Sequence, residues 1–196
     1  MTRNEQWARN IIKNTDPDCR PRWEVFDSLI KELGDSNQRC LNVGAGTKEE
    51  FDLADLFRSA IDTDVLYPEI VTEKNVPFIQ SDIKNLPFKD KSIDLVLLRF
   101  VVEHLSDPEE AFGEINRILA PGGKVLIVTT NLSSPIIFLP KIFLPYSIRK
   151  WLLKIIFQAQ DDDIFPTYHR INTKRAYVKL SHILSLKELI YWKFGL

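Results

Sequence analysis

The run Cys40-Leu41-Asn42-Val43 ends on Gly44-Ala45-Gly46, and this junction restricts the fold more than any other stretch of the 196 residues. An apolar run stops at two glycines one residue apart, and a charged segment follows in which Phe51, Leu53, Ala54, Leu56 and Phe57 recur at helical spacing. That order predicts a strand, a tight turn and a helix. A turn this sharp needs residues without Cβ, and a ligand lying against its backbone needs the same. A plain structural turn is the competing reading. A dinucleotide fingerprint would carry a third glycine three places after Gly46. Glu49 stands there and counts against a nicotinamide coenzyme.

The chain is long enough for one α/β domain with a sizeable core, and 44% hydrophobic residues agree with a globular protein. Lys and Arg number 26 and Asp and Glu 27, so the formal charge of −1 calls for no polyanionic partner, and none of nucleic-acid type is expected. Cys19 and Cys40 have no metal-ligand spacing, which fits a reducing, cytoplasmic setting. The N-terminus, with Arg3, Glu5 and Arg9, lacks the apolar run of a secretory signal. The most apolar region, 135–157, is broken by Pro140, Lys141, Pro145, Arg149, Lys150 and Lys154, which leaves no stretch of ~20 residues to span a membrane.

Along the chain, Trp23, Phe26, Leu29, Ile30 and Leu33 predict a helix that Gly34 ends. Ala60 to Asp64 reads as a second strand with acids at its end, and Val76 to Gln80 as a third, followed by Asp82. In a doubly wound sheet, ligands bind at the carboxyl ends of strands near the switch in strand order. Asp62 is placed there to accept both hydroxyl protons of a ribose. Capping a loop is the usual task of an acid after a strand, and Asp64 competes for the ribose, but Asp62 is favoured. A carboxylate at Asp82 could accept a hydrogen bond from a purine exocyclic amine. Ile93 to Leu98 is the near-continuous apolar run of a strand covered on both faces. Asp107-Pro108-Glu109-Glu110 starts a helix that Pro121-Gly122-Gly123 stops, and Lys124 to Thr130 reads as a fifth strand.

Five motifs in this order resemble the class I S-adenosylmethionine-dependent methyltransferases, specifically the small type 11 methyltransferase domain. They are Leu41-Asn42-Val43-Gly44-Ala45-Gly46-Thr47, Asp62, Ser81-Asp82-Ile83 before Leu86-Pro87-Phe88, Val102-Glu103-His104-Leu105, and Leu119-Ala120-Pro121-Gly122-Gly123. The match covers residues 40–131. It implies an α/β fold with a doubly wound, Rossmann-like, mostly parallel sheet flanked by helices, and S-adenosylmethionine as cofactor. It implies that Asn42, Gly44, Ala45 and Gly46 pack against the methionine and ribose portion, that Asp62 with Thr63 beside it holds the ribose hydroxyls, that Asp82 and Ile83 contact adenine, and that Arg99 and Phe100 lie near the methionine end. Asn42 stands where the family usually has an acid, and Lys48 where glycine is common. On this reading the chain is a single domain of N-terminal helices (1–37), cofactor-binding core (38–131), substrate or lid insertion (132–170), and C-terminal helix and strand (171–196).

Methyl transfer from a sulfonium is an in-line displacement whose main requirement is alignment. An oxygen acceptor gains from a general base, and an amine must arrive unprotonated. His104 is the histidine at the mouth of the predicted crevice and is the candidate catalytic base, with a packed or helix-capping role as its alternative. The three histidines share no metal-ligand spacing, and no metal is expected. The acceptor expected is a small or lipid- or glycan-linked molecule. Residues 135–157 hold four basic residues and no acid. This segment reads first as a helix packed on its own domain and second as a lid or a peripheral contact with an anionic membrane. Leu189 to Phe194 reads as a sixth strand, and the family's reversed last strand is missing after it. The exposed edge calls for a truncated end or a second copy of the chain as cover.

Overall fold

The computed structural model describes residues 22–46, 53–66, 76–129, 143–145, 147–148 and 166–183. Strands β1 (Arg39–Val43), β2 (Ser59–Asp64), β3 (Phe78–Gln80), β4 (Ile93–Arg99) and β5 (Leu119–Val128) form one sheet in the order β3-β2-β1-β4-β5. Every pairing in it is parallel. The chain builds outward from β1 to β3, then returns to the other side of β1 for β4 and β5. The order therefore switches between β1 and β4, and that is where such a sheet leaves a crevice at its carboxyl rim.

The apolar run of β4 explains the layers. Leu95 and Leu97 belong to one cluster with Cys40, Ala60, Leu53, Phe57 and Val76, closed by Phe26 and Ile30 of helix α1 (Arg22–Leu33). Val96 and Leu98 belong to the other cluster with Leu41 and Val43. That cluster is closed by Ala111, Phe112, Ile115 and Ile118 of helix α2 (Pro108–Ile118) and by Tyr177 and Leu180 of helix α3 (Lys174–Ile183). A strand with a helix layer on each face has no solvent side, so its sequence has no polar alternation. Burial also pushes the Cys40 thiol up to about 12, so it stays protonated at neutral pH.

Local chemistry fixes α2. The Asp107 carboxylate accepts the Glu110 amide at 3.1 Å and Pro108 takes the first helical position. From the last turn, Arg117 grips Glu114 (2.7 Å), Asp90 (2.6 Å) and the carbonyls of Leu86 (3.0 Å) and Phe88 (2.8 Å). The loop between β3 and β4 is thereby fastened to the helix. The charge-assisted bonds to Arg117 hold the Glu114 carboxyl below its ordinary value and raise that of the guanidinium.

Two elements differ from expectation. Residues 53–58 form turns rather than a helix. The Leu56 amide reaches back only to the Leu53 carbonyl (3.3 Å), and β2 begins at Ser59, so the two buried side chains Leu53 and Phe57 are placed by a single turn. Strand β5 starts at Leu119, earlier than Lys124, because Leu119 pairs with Ile93 before the ladder resumes at Leu95 and Lys124. Pro121-Gly122-Gly123 ends the helix as expected but is carried inside the strand as a register irregularity, with Gly122 at φ 80°. The strand expected over 189–194 and nearly all of the insertion helix over 135–157 lie outside the described residues. Among the described residues, no helix is long and apolar enough to cross a membrane.

Candidate functional site

The glycine turn hangs on β2. The amides of Gly44 and Ala45 both donate to the Thr63 carbonyl, at 2.8 and 3.1 Å, and the Gly46 amide donates to Asp64 Oδ2 at 2.9 Å. The two glycines are required for different reasons. Gly44, at φ 70°, has no room, since a Cβ there would collide with a methyl of Val101. Gly46, at φ 64°, has no atom of the described residues within 4 Å of where a Cβ would sit, so among these residues its bare backbone forms a cradle that a side chain would fill.

Asp62 lies in register beside Asn42, whose Nδ2 donates to Asp62 Oδ1 at 2.9 Å. Asp62 is 6% exposed. Asp64 lies two residues further toward the carboxyl rim, and besides Gly46 it accepts the Leu66 amide at 3.1 Å. The acid bonded to the glycine turn is thus Asp64, with Asp62 one step deeper. Asp82 is exposed and its carboxylate takes the Lys84 amide at 2.9 Å, which caps the loop. That loop reaches the site through Ser81, whose amide donates to the Asp64 carbonyl (2.9 Å) and whose hydroxyl is hydrogen-bonded to Thr63 Oγ1. The Ile83 side chain is part of the core.

The opposite wall follows β4. Arg99 is held below the ordinary arginine range by burial. Phe100 has a left-handed backbone, φ 54°, and its amide donates to the Val128 carbonyl at 2.8 Å. Its strained conformation turns the chain sharply off the strand, so that Val101 meets Gly44. A 3₁₀ turn, Val102–His104, comes next. His104 Nδ1 lies 2.9 Å from the Pro166 carbonyl oxygen. A carbonyl only accepts, so Nδ1 carries a proton, and in the neutral ring Nε2 is the basic nitrogen.

The structure adds residues to those expected. Glu103 is 3% exposed and accepts the Thr129 hydroxyl at 2.7 Å, while Asn172 Nδ2 donates to the same Thr129 oxygen at 2.7 Å. Glu103 left one signal in the sequence, a lone charge within Phe100–Leu105. Thr129 and Asn172 left none, because their meeting depends on a contact across 43 positions.

A parallel sheet with this strand order and a glycine turn at its switch point defines a Rossmann-like fold, in which ligands bind at that switch point. Residues 41–127 match the family model described as a methyltransferase domain. The chain is 31% identical over 125 residues to the ubiquinone/menaquinone biosynthesis C-methyltransferase UbiE of Shewanella sp. (strain W3-18-1), covering 62% of this chain and 47% of that protein. It thus spans about half the length of the curated relatives it matches. In fold it is similar to a putative methyltransferase from Bacillus halodurans (TM-score 0.57, 18% identity, 83% of this chain and 68% of that one). It is similar also to a SAM-dependent methyltransferase from Methanosarcina mazei (TM-score 0.57, 19% identity, 80% and 82%). Residues 41–127 are thus similar to a methyltransferase domain, and the chain shares the fold of those solved structures.

Proposed function

We propose that this chain transfers the methyl group of S-adenosylmethionine to a small-molecule or lipid- or glycan-linked acceptor that loses a proton on methylation. The observation that carries the reading is the rim where the open backbone at Gly46, the carboxylates of Asp62 and Asp64, and the wall from Arg99 to His104 meet. These groups suit the cofactor: a bare turn for close approach, acids for ribose hydroxyls and an ammonium, and a walled far side. Asn42, Gly44, Ala45, Gly46, Asp62 and Thr63 would hold the methionine and ribose portion, with Asp64 added to them. Ser81, Asp82 and the Ile83 backbone would border adenine, and Arg99 and Phe100 the methionine end.

When bound, the cofactor supplies a methyl group on a cationic sulfur that leaves as a neutral thioether. The chain aligns the acceptor with that methyl and manages one proton. His104 Nε2 takes the proton from the acceptor oxygen or activated carbon, and the Pro166 carbonyl steadies the imidazolium through Nδ1–H. A carbon acceptor is the form favoured by the likeness to a C-methyltransferase.

Calorimetry with S-adenosylmethionine, followed by transfer of labelled methyl to a panel of phenols, quinols, amines and isoprenoid-linked rings, tests the proposal. Binding with transfer to a phenol or quinol is expected. No binding at all would end it. Binding without any transfer would favour a second reading, a catalytically silent cofactor module, for which the amide at Asn42 in place of the family's acid speaks. His104→Ala is expected to lower transfer by about 10²–10⁴-fold with cofactor affinity unchanged.

A further inference from the structure

The buried carboxylate of Glu103 has no part in the chemistry above, yet two sequence-distant elements converge on this residue. Thr129 Oγ1, just past β5, donates to its carboxylate at 2.7 Å. The amides of Tyr168 and His169 donate to its carbonyl at 2.8 and 3.1 Å. Asn172 Nδ2 donates to Thr129 Oγ1 at 2.7 Å, which gives a directed relay from Asn172 through Thr129 to Glu103. On the next residue, His104 Nδ1 donates to the Pro166 carbonyl at 2.9 Å. The stretch Pro166–Asn172 is therefore fastened at its first residue by the candidate base, at its middle by Glu103 and at its last by Thr129. Ile171 adds a buried anchor, and His169 holds a left-handed backbone at φ 52°. A non-glycine residue stays in that region only where its surroundings fix it.

Burying a carboxylate costs free energy unless its oxygens are bonded, so a Glu at 3% exposure needs a reason to be there. We infer that Pro166–Asn172 is the acceptor-side wall of the methyl-transfer site and that Glu103 is its positioning residue, holding the Pro166 carbonyl where it keeps the proton on His104 Nδ1. The inference rests on the proposal that His104 is the base. The wall is bonded to the 3₁₀ turn, and that turn follows directly on the Val101 contact with the glycine turn. Cofactor seat and acceptor wall thus share one corner.

Thr129→Val, close in shape, removes both ends of the relay, and Thr129→Ser restores them. In Thr129→Val, hydrogen exchange at the Tyr168 and His169 amides is expected to quicken about tenfold or more. The ¹⁵N shifts of His104 are expected to move from a pure Nδ1–H ring toward a mixture of tautomers, and S-adenosylmethionine affinity to stay within about twofold. Thr129→Ser returns exchange and ring shifts to the wild-type values. Should Thr129→Val not fold, Asn172→Leu breaks the relay at its other end and carries the same expectation. Unchanged exchange and unchanged ring shifts in a folded variant overturn the inference. Failure of the wild type to bind S-adenosylmethionine is a separate result, which sinks the proposed function and is read independently of the exchange and ring-shift data.

Discussion

Asn42 donates to a carboxylate at 2.9 Å from a position where the resembled family usually has an acid. The amide makes the neighbourhood of Asp62 a donor–acceptor pair instead of two acids in contact. Asn42→Asp places two carboxylates in one buried spot, where one of them must keep its proton and titrate above the usual range. A folded-state pKa raised above the unfolded one means that the native state binds the extra proton. The variant is therefore most stable in acid and loses stability relative to wild type as pH rises through the raised value. Melting curves of both proteins between pH 4 and 8 check this, and parallel curves would refute it. The two glycines give a second prediction at this scale. Gly46→Ala pays only for the left-handed backbone, about 1–2 kcal/mol, and its new methyl occupies the cradle, so cofactor affinity falls. Gly44→Ala adds a collision with Val101, for a total of about 2–5 kcal/mol, and Val101→Ala in the same chain relieves the steric part. Chemical denaturation of the three variants separates the two contributions.

At the scale of elements, the clamp from Arg117 to Glu114, Asp90 and two loop carbonyls is where acid should first be felt. Glu114 is held below its ordinary carboxyl value chiefly by its hydrogen bond to Arg117, and Asp94 below its own by the bond from Arg39. For a depressed carboxyl, the stabilisation is present above the unfolded pKa and disappears as pH falls through the folded one. Arg117→Met is therefore expected to lower the melting temperature at pH 7 and to lessen its decline below about pH 4.5, as read by thermal scans against pH. Elements also differ in how far the chain announces them. The strand over Ile93–Arg99 was legible because burial on both faces leaves an unbroken apolar run, and α2 because Asp107-Pro108 is a cap that acts locally. The helix expected through Leu53 and Phe57 was misjudged because one turn spaces two buried residues as a helix does. The start of β5 was misjudged because pairing with Ile93 overrides the breaking tendency of Pro121-Gly122-Gly123.

For the molecule as a whole, the local geometry of the candidate site was legible wherever its parts are set by local sequence: the glycine bend, the acids that end β2, the turn carrying His104. It was illegible where parts meet only through the fold. Nothing near Asp64 says that it, instead of Asp62, bonds the Gly46 amide, and nothing near Asn172 points to Thr129. The proposal that residues 38–131 are the cofactor-binding core carries a global prediction. S-adenosylmethionine at a hundred times its dissociation constant adds about 2.7 kcal/mol to stability, a rise in melting temperature that Gly44→Ala should abolish.

Cys40 opens the central strand, 1% exposed behind α1, with its thiol pushed up to about 12. A sulfur so placed meets an alkylating reagent only when the middle of the sheet comes apart. With Cys19 replaced by serine, its labelling rate would work as a clock on the rarest and largest opening of the molecule. A cofactor that bridges β1 and β2 should slow that clock by the same factor by which it lowers the population of the opened state.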